Sequence, residues 1–148
     1  MRISTKGQYA LEAMLALALA GTDDKVSIRQ IGEWTGLSDS YLEQIFALLK
    51  SAKLVKSNRG NRGGYQLAVA PERITAGDIL RAAEGSLAPV KCTDPSAGGC
   101  ADMDSCLTQS VWKHIDDVIT REVNSKTLAE LAAVYRKYGY DETVDFVI

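Results

Sequence analysis

Three cysteines and one run of cations carry most of the chemistry open to this chain of 148 residues. Cys92, Cys100 and Cys106 stand with seven and five residues between them, in a stretch rich in Gly and Pro. Thiolates are soft ligands, and three on one pliable segment can wrap an iron–sulphur cluster, leaving the fourth iron position to another residue type. The same residues would equally serve a zinc site, a reversible disulfide or plain thiols. The C-x-x-C spacing of common zinc and ferredoxin sites is absent, so spacing leaves all four readings open.

The second constellation is cationic. Residues 50–62 contain Lys50, Lys53, Lys56, Arg59 and Arg62 and no acid. That density is an electrostatic footprint for phosphate, the plainer reading being a solvated basic face. The overall charge of −2 conceals a division: nine Lys and Arg against six acids through Ala70, eight against thirteen beyond it. The first part suits a polyanion and the second would be repelled by one.

The elements that position these groups follow from periodicity and punctuation. A helix is predicted over 5–20, with Leu11, Met14, Leu15 and Ala18 at helical spacing and Gly21 as its stop. Arg2 and Lys6 before an apolar stretch imitate a secretory signal, but Glu12 interrupts it and leaves only 13–20 unbroken. No run is long enough to span a membrane, and an odd cysteine count does not make a secreted disulfide framework; the expected compartment is the cytosol. Ser27 caps a second helix over 28–35, with Ile28, Ile31 and Trp34 as its stripe. Gly36 breaks it, and Ser38 caps a third helix to about Lys50. Leu42, Ile45, Phe46 and Leu49 face inward there, so Ser40, Tyr41, Glu43 and Gln44 lie outward near its start. Residues 54–57, 58–64 and 65–68 read as strand, Gly-rich tip and strand, a hairpin closed by Pro71. Thr75 caps a helix to about 83. A loop over 84–105 holds two of the cysteines and is long for a compact domain, which marks it as functional or disordered. A helix over 106–123 carries the stripe Val111, Ile115, Val118 and Ile119. Thr127-x-x-Glu130 matches a capping box opening a last helix that ends near Gly139.

Gly32, Gly36 and Leu42 meet the demands of a helix-turn-helix: a small residue for close crossing, a glycine for the turn, an apolar anchor for the second helix. A basic Gly-rich hairpin directly afterwards makes the unit a winged helix. The expected fold is therefore mainly α, a winged helix-turn-helix with a two-stranded β wing plus a long dimerisation helix. The expected division is 1–83 for DNA binding, 84–105 for the cysteine loop, 106–138 for the dimerisation and C-terminal helices, and 139–148 as a tail. In the major groove, Ser38, Ser40, Tyr41, Glu43 and Gln44 would meet bases and phosphates; Gln44 suits adenine, and Glu43 would accept from cytosine and reject other contacts. Arg59, beside Arg62, would enter a narrow minor groove, and Arg2 and Lys6 would hold phosphates. The apolar stripe of the long helix has no obvious partner in the first lobe; it either packs back on its own domain or, the favoured reading, pairs with a second copy, giving a homodimer on a palindromic site in double-stranded promoter DNA. Neither a membrane nor a small-molecule substrate is expected as a partner. An enzyme is not expected: the lone His114 has no placed nucleophile, and no phosphate-cradling Gly motif occurs.

The opening MRISTKGQYA, the segment SDSYLEQ at 38–44, the tip RGNRGGY at 59–65 and Cys106-Leu107-Thr108-x-x-x-Trp112 together resemble the iron–sulphur cluster assembly regulator (IscR-like) family, and the similarity runs to about Leu131. The resemblance implies a homodimeric repressor or dual regulator of cluster-assembly genes carrying a [2Fe–2S] cluster on the three cysteines. It also implies that Glu43 acts when the cluster is absent, by excluding one operator class. Related regulators of cysteine metabolism work without a metal, through a partner enzyme, and a thiol–disulfide switch is the other alternative. One position departs from the pattern. The family's usual fourth ligand, a histidine three residues after the last cysteine, is Gln109 here. His114, if Cys106 opens the helix, lies roughly 12 Å further along it, too far to share an iron. Either Gln109 ligates through its amide oxygen, another residue does, or the position stays open. Amide oxygen is a poorer iron ligand than imidazole, so such a cluster should be labile.

Overall fold

The computed structural model describes residues 2–100 and 105–138. The tail expected at 139–148 and residues 101–104 of the cysteine segment lie outside the described residues. In chain order the elements are α1 (Thr5–Ala20), α2 (Ile28–Thr35), α3 (Asp39–Ser51), β1 (Val55–Asn58), β2 (Gly64–Leu67), α4 (Ala76–Glu84), α5 (Gln109–Ser125) and α6 (Leu128–Lys137). Short 3-10 turns stand at Pro71–Arg73, Lys91–Thr93 and Pro95–Ala97.

The run that imitates a secretory signal is the central helix of the core. Ala10, Ala13, Met14 and Leu17 of α1 are enclosed, and its small alanines let α2, α3, α4 and α6 pack close. Among the described residues, no helix is long and apolar enough to cross a membrane.

The α2–α3 unit meets the steric demands read from its glycines. Ser27 and Gln30 form a reciprocal capping box at the start of α2. Gly36 ends it at φ 74°, donating its N–H to the Gly32 carbonyl at 2.8 Å; that left-handed conformation favours glycine. A Cβ on Gly32 would stand 2.9 Å from the Leu37 carbonyl oxygen, so only a residue without one lets the turn fold back this tightly. Ile31, Leu42, Ile45, Phe46 and Leu49 are buried between the two helices and α1.

The wing is antiparallel, pairing Val55 with Leu67 and Asn58 with Gly64. Val26 joins it by exchanging two backbone hydrogen bonds with Tyr65, at 2.7 and 2.9 Å. Gly64 permits this approach, since a Cβ there would meet the Val26 carbonyl at 2.7 Å. The Tyr65 ring rests on Phe46, with centroids 4.5 Å apart.

The start of α5 differs from the sequence expectation, and the docking of α6 was not read from the sequence at all. The helix expected from Cys106 starts at Gln109, because Cys106 sits in a preceding turn in which Gln109 N–H donates to its carbonyl at 3.3 Å. And α6 packs on the first lobe: Leu128 and Ala132 are buried in the same core cluster as α1 and α3. A backbone ladder holds it there, Ala76 N–H to the Lys126 carbonyl and Leu128 N–H to the Ile74 carbonyl, both 2.8 Å. The capping boxes of Thr75 and Thr127 thus open α4 and α6 side by side. Contrary to the expectation of no obvious partner in the first lobe, α5 meets α4, where the Arg81 guanidinium donates to the Asn124 side-chain oxygen at 2.6 Å, yet none of its 17 residues is fully buried. Its Val111 and Val118 are 53% and 40% exposed.

Candidate nucleic-acid interface and thiol cavity

Ser40, Glu43 and Gln44 are exposed on the outward side of the first turns of α3. Ser38 is also exposed, but its hydroxyl oxygen accepts the Tyr41 backbone N–H at 3.3 Å and is the helix cap. Tyr41 is half-buried, its ring edge-on to Tyr9 with centroids 5.7 Å apart, so it joins α3 to α1. Arg59 and Arg62 are exposed at the wing tip, either side of the positive-φ Gly60. Arg2 is exposed ahead of α1, and Lys6 is half-buried in its first turn.

Sequence reasoning counted Lys50 only as charge. Its ammonium donates to the Ser57 hydroxyl at 2.7 Å, tying the end of α3 to β1. Asn58 donates to the Gln66 side-chain oxygen across the wing at 2.8 Å. The end of α3 and the wing are therefore held as one piece.

The three cysteines meet at a cavity of about 260 Å³ lined by Cys92, Cys100, Cys106, Gln109, Trp112 and Asp116, among others. No disulfide joins them. Local turns set each one. Cys92 lies in the turn Lys91–Thr93, where Thr93 donates to the Val90 carbonyl at 3.1 Å. Asp94 caps the next turn through Ser96, whose hydroxyl and N–H hold its carboxyl below the usual range. Gly98 and Gly99, both at positive φ, lead back to Cys100. A hydrogen bond with Cys100 is the largest cause raising the Cys92 thiol pKa, followed by burial and by the charges of Cys100 and Cys106.

Along α5, the cavity is faced by Gln109, Trp112, Lys113, Asp116 and Asp117. Those are the i+3, i+4, i+7 and i+8 positions counted from Gln109, a face recoverable from sequence once the helix start is known. His114 is exposed and is not among the lining residues. Among the described residues, no three His, Cys, Asp or Glu side chains already stand as a metal-holding group. The sulphurs share one space and would have to draw together around an ion. Three soft thiolates and an adjacent amide oxygen fit an iron–sulphur cluster in number and type, with one weak neutral ligand.

The family model Rrf2, described as an iron-dependent transcriptional regulator, matches residues 3–134. The HTH-type transcriptional regulator IscR of Escherichia coli is 40% identical over 131 residues, 88% of this chain and 80% of that protein. Among solved structures, T. potens IscR superposes with a TM-score of 0.75 at 38% identity, covering 96% of this chain and 93% of that one. CymR, the global cysteine regulator of B. subtilis, gives 0.73 at 37%, covering 90% and 98%.

Proposed function

Because the chain belongs to the Rrf2 family of transcriptional regulators, we propose that it acts as a homodimeric, IscR-like repressor of iron–sulphur cluster assembly genes, reading cluster status through a [2Fe–2S] cluster on Cys92, Cys100 and Cys106. The observation that carries the sensing half is the convergence of all three thiols on one cavity with Gln109 at its edge.

The DNA-binding half follows from exposure and charge. The N-terminal end of α3 enters the major groove, where Ser40 and Gln44 meet base edges and Gln44 takes adenine. Glu43 accepts from a cytosine amino group and is repelled by phosphate, so it selects sites more than it tightens binding. Ser38 holds the helix start, and Tyr41 braces α3 against α1. Arg59 reaches a narrow minor groove with Arg62 behind it, and Arg2 and Lys6 hold phosphates. The exposed valines of α5, a helix of about 25 Å, are covered by the same helix of a second copy. Two recognition helices then face half-sites about one DNA turn apart, on a palindrome.

A bound cluster would supply an oxidant-sensitive group at this cavity. Cys92, Cys100 and Cys106 would hold it as thiolates, and Gln109 would offer an amide oxygen that neither charges nor titrates.

A cluster-free reading has specific support in the likeness to CymR and in Gln109 standing where a histidine is expected. In that reading the thiols switch by disulfide, or the protein works with a partner enzyme.

The test is binding to a palindromic promoter fragment by anaerobic wild-type protein and by a variant with all three cysteines replaced by alanine. Affinity should fall steeply with salt, as phosphate contacts require, and the variant should lose its response to iron and oxygen. Salt-insensitive binding would oppose the DNA assignment. Unchanged regulation in the variant would oppose both thiol-based readings and favour action through a partner enzyme.

A further inference from the structure

The first turn of α1 has no local cap. Ser4 stands at the N-cap position, and its side chain accepts nothing from the helix. Every helix start leaves N–H groups without an intrahelical acceptor, and an anionic oxygen is the best partner for them. Here that oxygen comes from 80 residues away. Glu84 Oε1 accepts the Ser4 backbone N–H at 2.9 Å, the Ser4 hydroxyl at 2.6 Å and the Gly7 backbone N–H at 3.2 Å. The fit is close: a Cβ on Gly7 would strike the same oxygen. The glycine at position 7 is what lets the carboxylate reach the backbone.

Both ends of this contact have functional neighbours. On one side, Ser4 lies between Arg2 and Lys6. On the other, Glu84 is the last residue of α4, and Gly85, at φ 84°, begins the segment that carries Cys92 and Cys100. Among the described residues, the acidic groups of α4 are Asp78 and Glu84, and Asp78 is engaged at the opposite end with Thr75.

We infer that Glu84 is a positioning residue for DNA binding: it fixes the first turn of α1, and with it Arg2 and Lys6, from the point where the cysteine segment leaves α4. This rests on the reading of Arg2 and Lys6 as phosphate contacts. The contact does not touch DNA and contributes no base specificity, so its loss weakens every operator alike.

The experiment measures operator affinity of the full chain for Glu84→Ala, Glu84→Gln, the pair Arg2→Ala/Lys6→Ala, and the triple variant, alongside amide exchange at residues 4–7. Glutamine keeps an acceptor oxygen without the charge. The expected results are about tenfold weaker binding for Glu84→Ala, recovery to within about threefold for Glu84→Gln, and faster exchange at 4–7 in the alanine variant only. In the Arg2→Ala/Lys6→Ala background, Glu84→Ala should cost little more. Glu84→Leu, of similar bulk and without an acceptor, replaces the alanine variant if that one melts early. Full affinity in Glu84→Ala or Glu84→Leu, or an equal loss in both backgrounds, would overturn the inference. If Arg2→Ala/Lys6→Ala alone leaves affinity unchanged, the phosphate assignment fails, and the positioning role fails with it.

Discussion

The indole Nε1 of Trp112 donates to the hydroxyl oxygen of Thr108 at 3.2 Å, one turn along the start of α5. The same hydroxyl lies 3.6 Å from the sulphur of Cys106. An indole N–H can only donate, so it holds the hydroxyl oxygen as an acceptor and fixes where it sits. Once Cys106 is a thiolate, the hydroxyl is the one member of that pair able to donate.

A hydrogen bond to a ligating sulphur stabilises the more reduced state of a cluster. Thr108→Val removes it with little change of shape, so the reduction potential should become more negative in an anaerobic redox titration. Trp112→Phe should move it the same way by a smaller step. An unchanged potential in Thr108→Val would show that the hydroxyl does not donate to Cys106.

Gln109→His replaces a neutral amide oxygen with imidazole, a better iron ligand. Cluster loss in air, followed by visible absorbance, should slow by about tenfold, the lower end of what metal-site changes produce. The variant should also gain a pH dependence near neutrality that the native residue cannot supply. A decay rate equal to wild type would mean that residue 109 does not ligate.

Arg59→Ala should weaken binding most at operators with a narrow A·T minor groove flanking the half-site, where negative potential is concentrated. The slope of log K against log salt should fall by about one, as for one lost phosphate-region cation. Fluorescence anisotropy on paired A·T and G·C operators reads both effects. Equal losses on the two operators would count against insertion into the groove.

Glu12 lies half-buried in α1, with Oε2 enclosed and, among the described residues, without a hydrogen-bond partner. Burial raises its carboxyl pKa above the usual value. The folded protein therefore binds a proton that the unfolded chain has already released. The charged form costs stability above the raised pKa, and that cost disappears as pH falls through it. Glu12→Gln should stabilise the protein by less than about 1 kcal/mol at pH 7.5, given the partial exposure. The gain should vanish toward pH 4 in urea melts. A gain independent of pH would assign the effect to helix propensity instead.

The winged helix was legible because turns make local demands. Gly32, Gly36 and the basic tip announce themselves within a few residues, and each matches the geometry found. Contacts between distant segments left no local mark. The Glu84 contact to Ser4 and the ladder joining Ile74 to Leu128 span 80 and 54 residues, so neither the helix cap nor the docking of α6 could be read. Tyr41 was expected outward, but its partner Tyr9 lies on another helix. The sequence pattern places the start of α5 three residues early, because Cys106 sits in a turn and Thr108, at the N-cap, makes no side-chain cap that would mark the boundary. Once that start is corrected, the lining of the thiol cavity by Trp112, Lys113, Asp116 and Asp117 follows from helical spacing alone.

Whether the three thiols hold an iron–sulphur cluster is decided by an assay of iron, acid-labile sulphide and visible absorption on anaerobically purified protein. The expected result is a coloured protein with thiolate-to-iron charge-transfer bands and equal iron and sulphide, about two of each per chain, all lost when Cys92, Cys100 and Cys106 are replaced together. A colourless protein holding neither iron nor sulphide would contradict it.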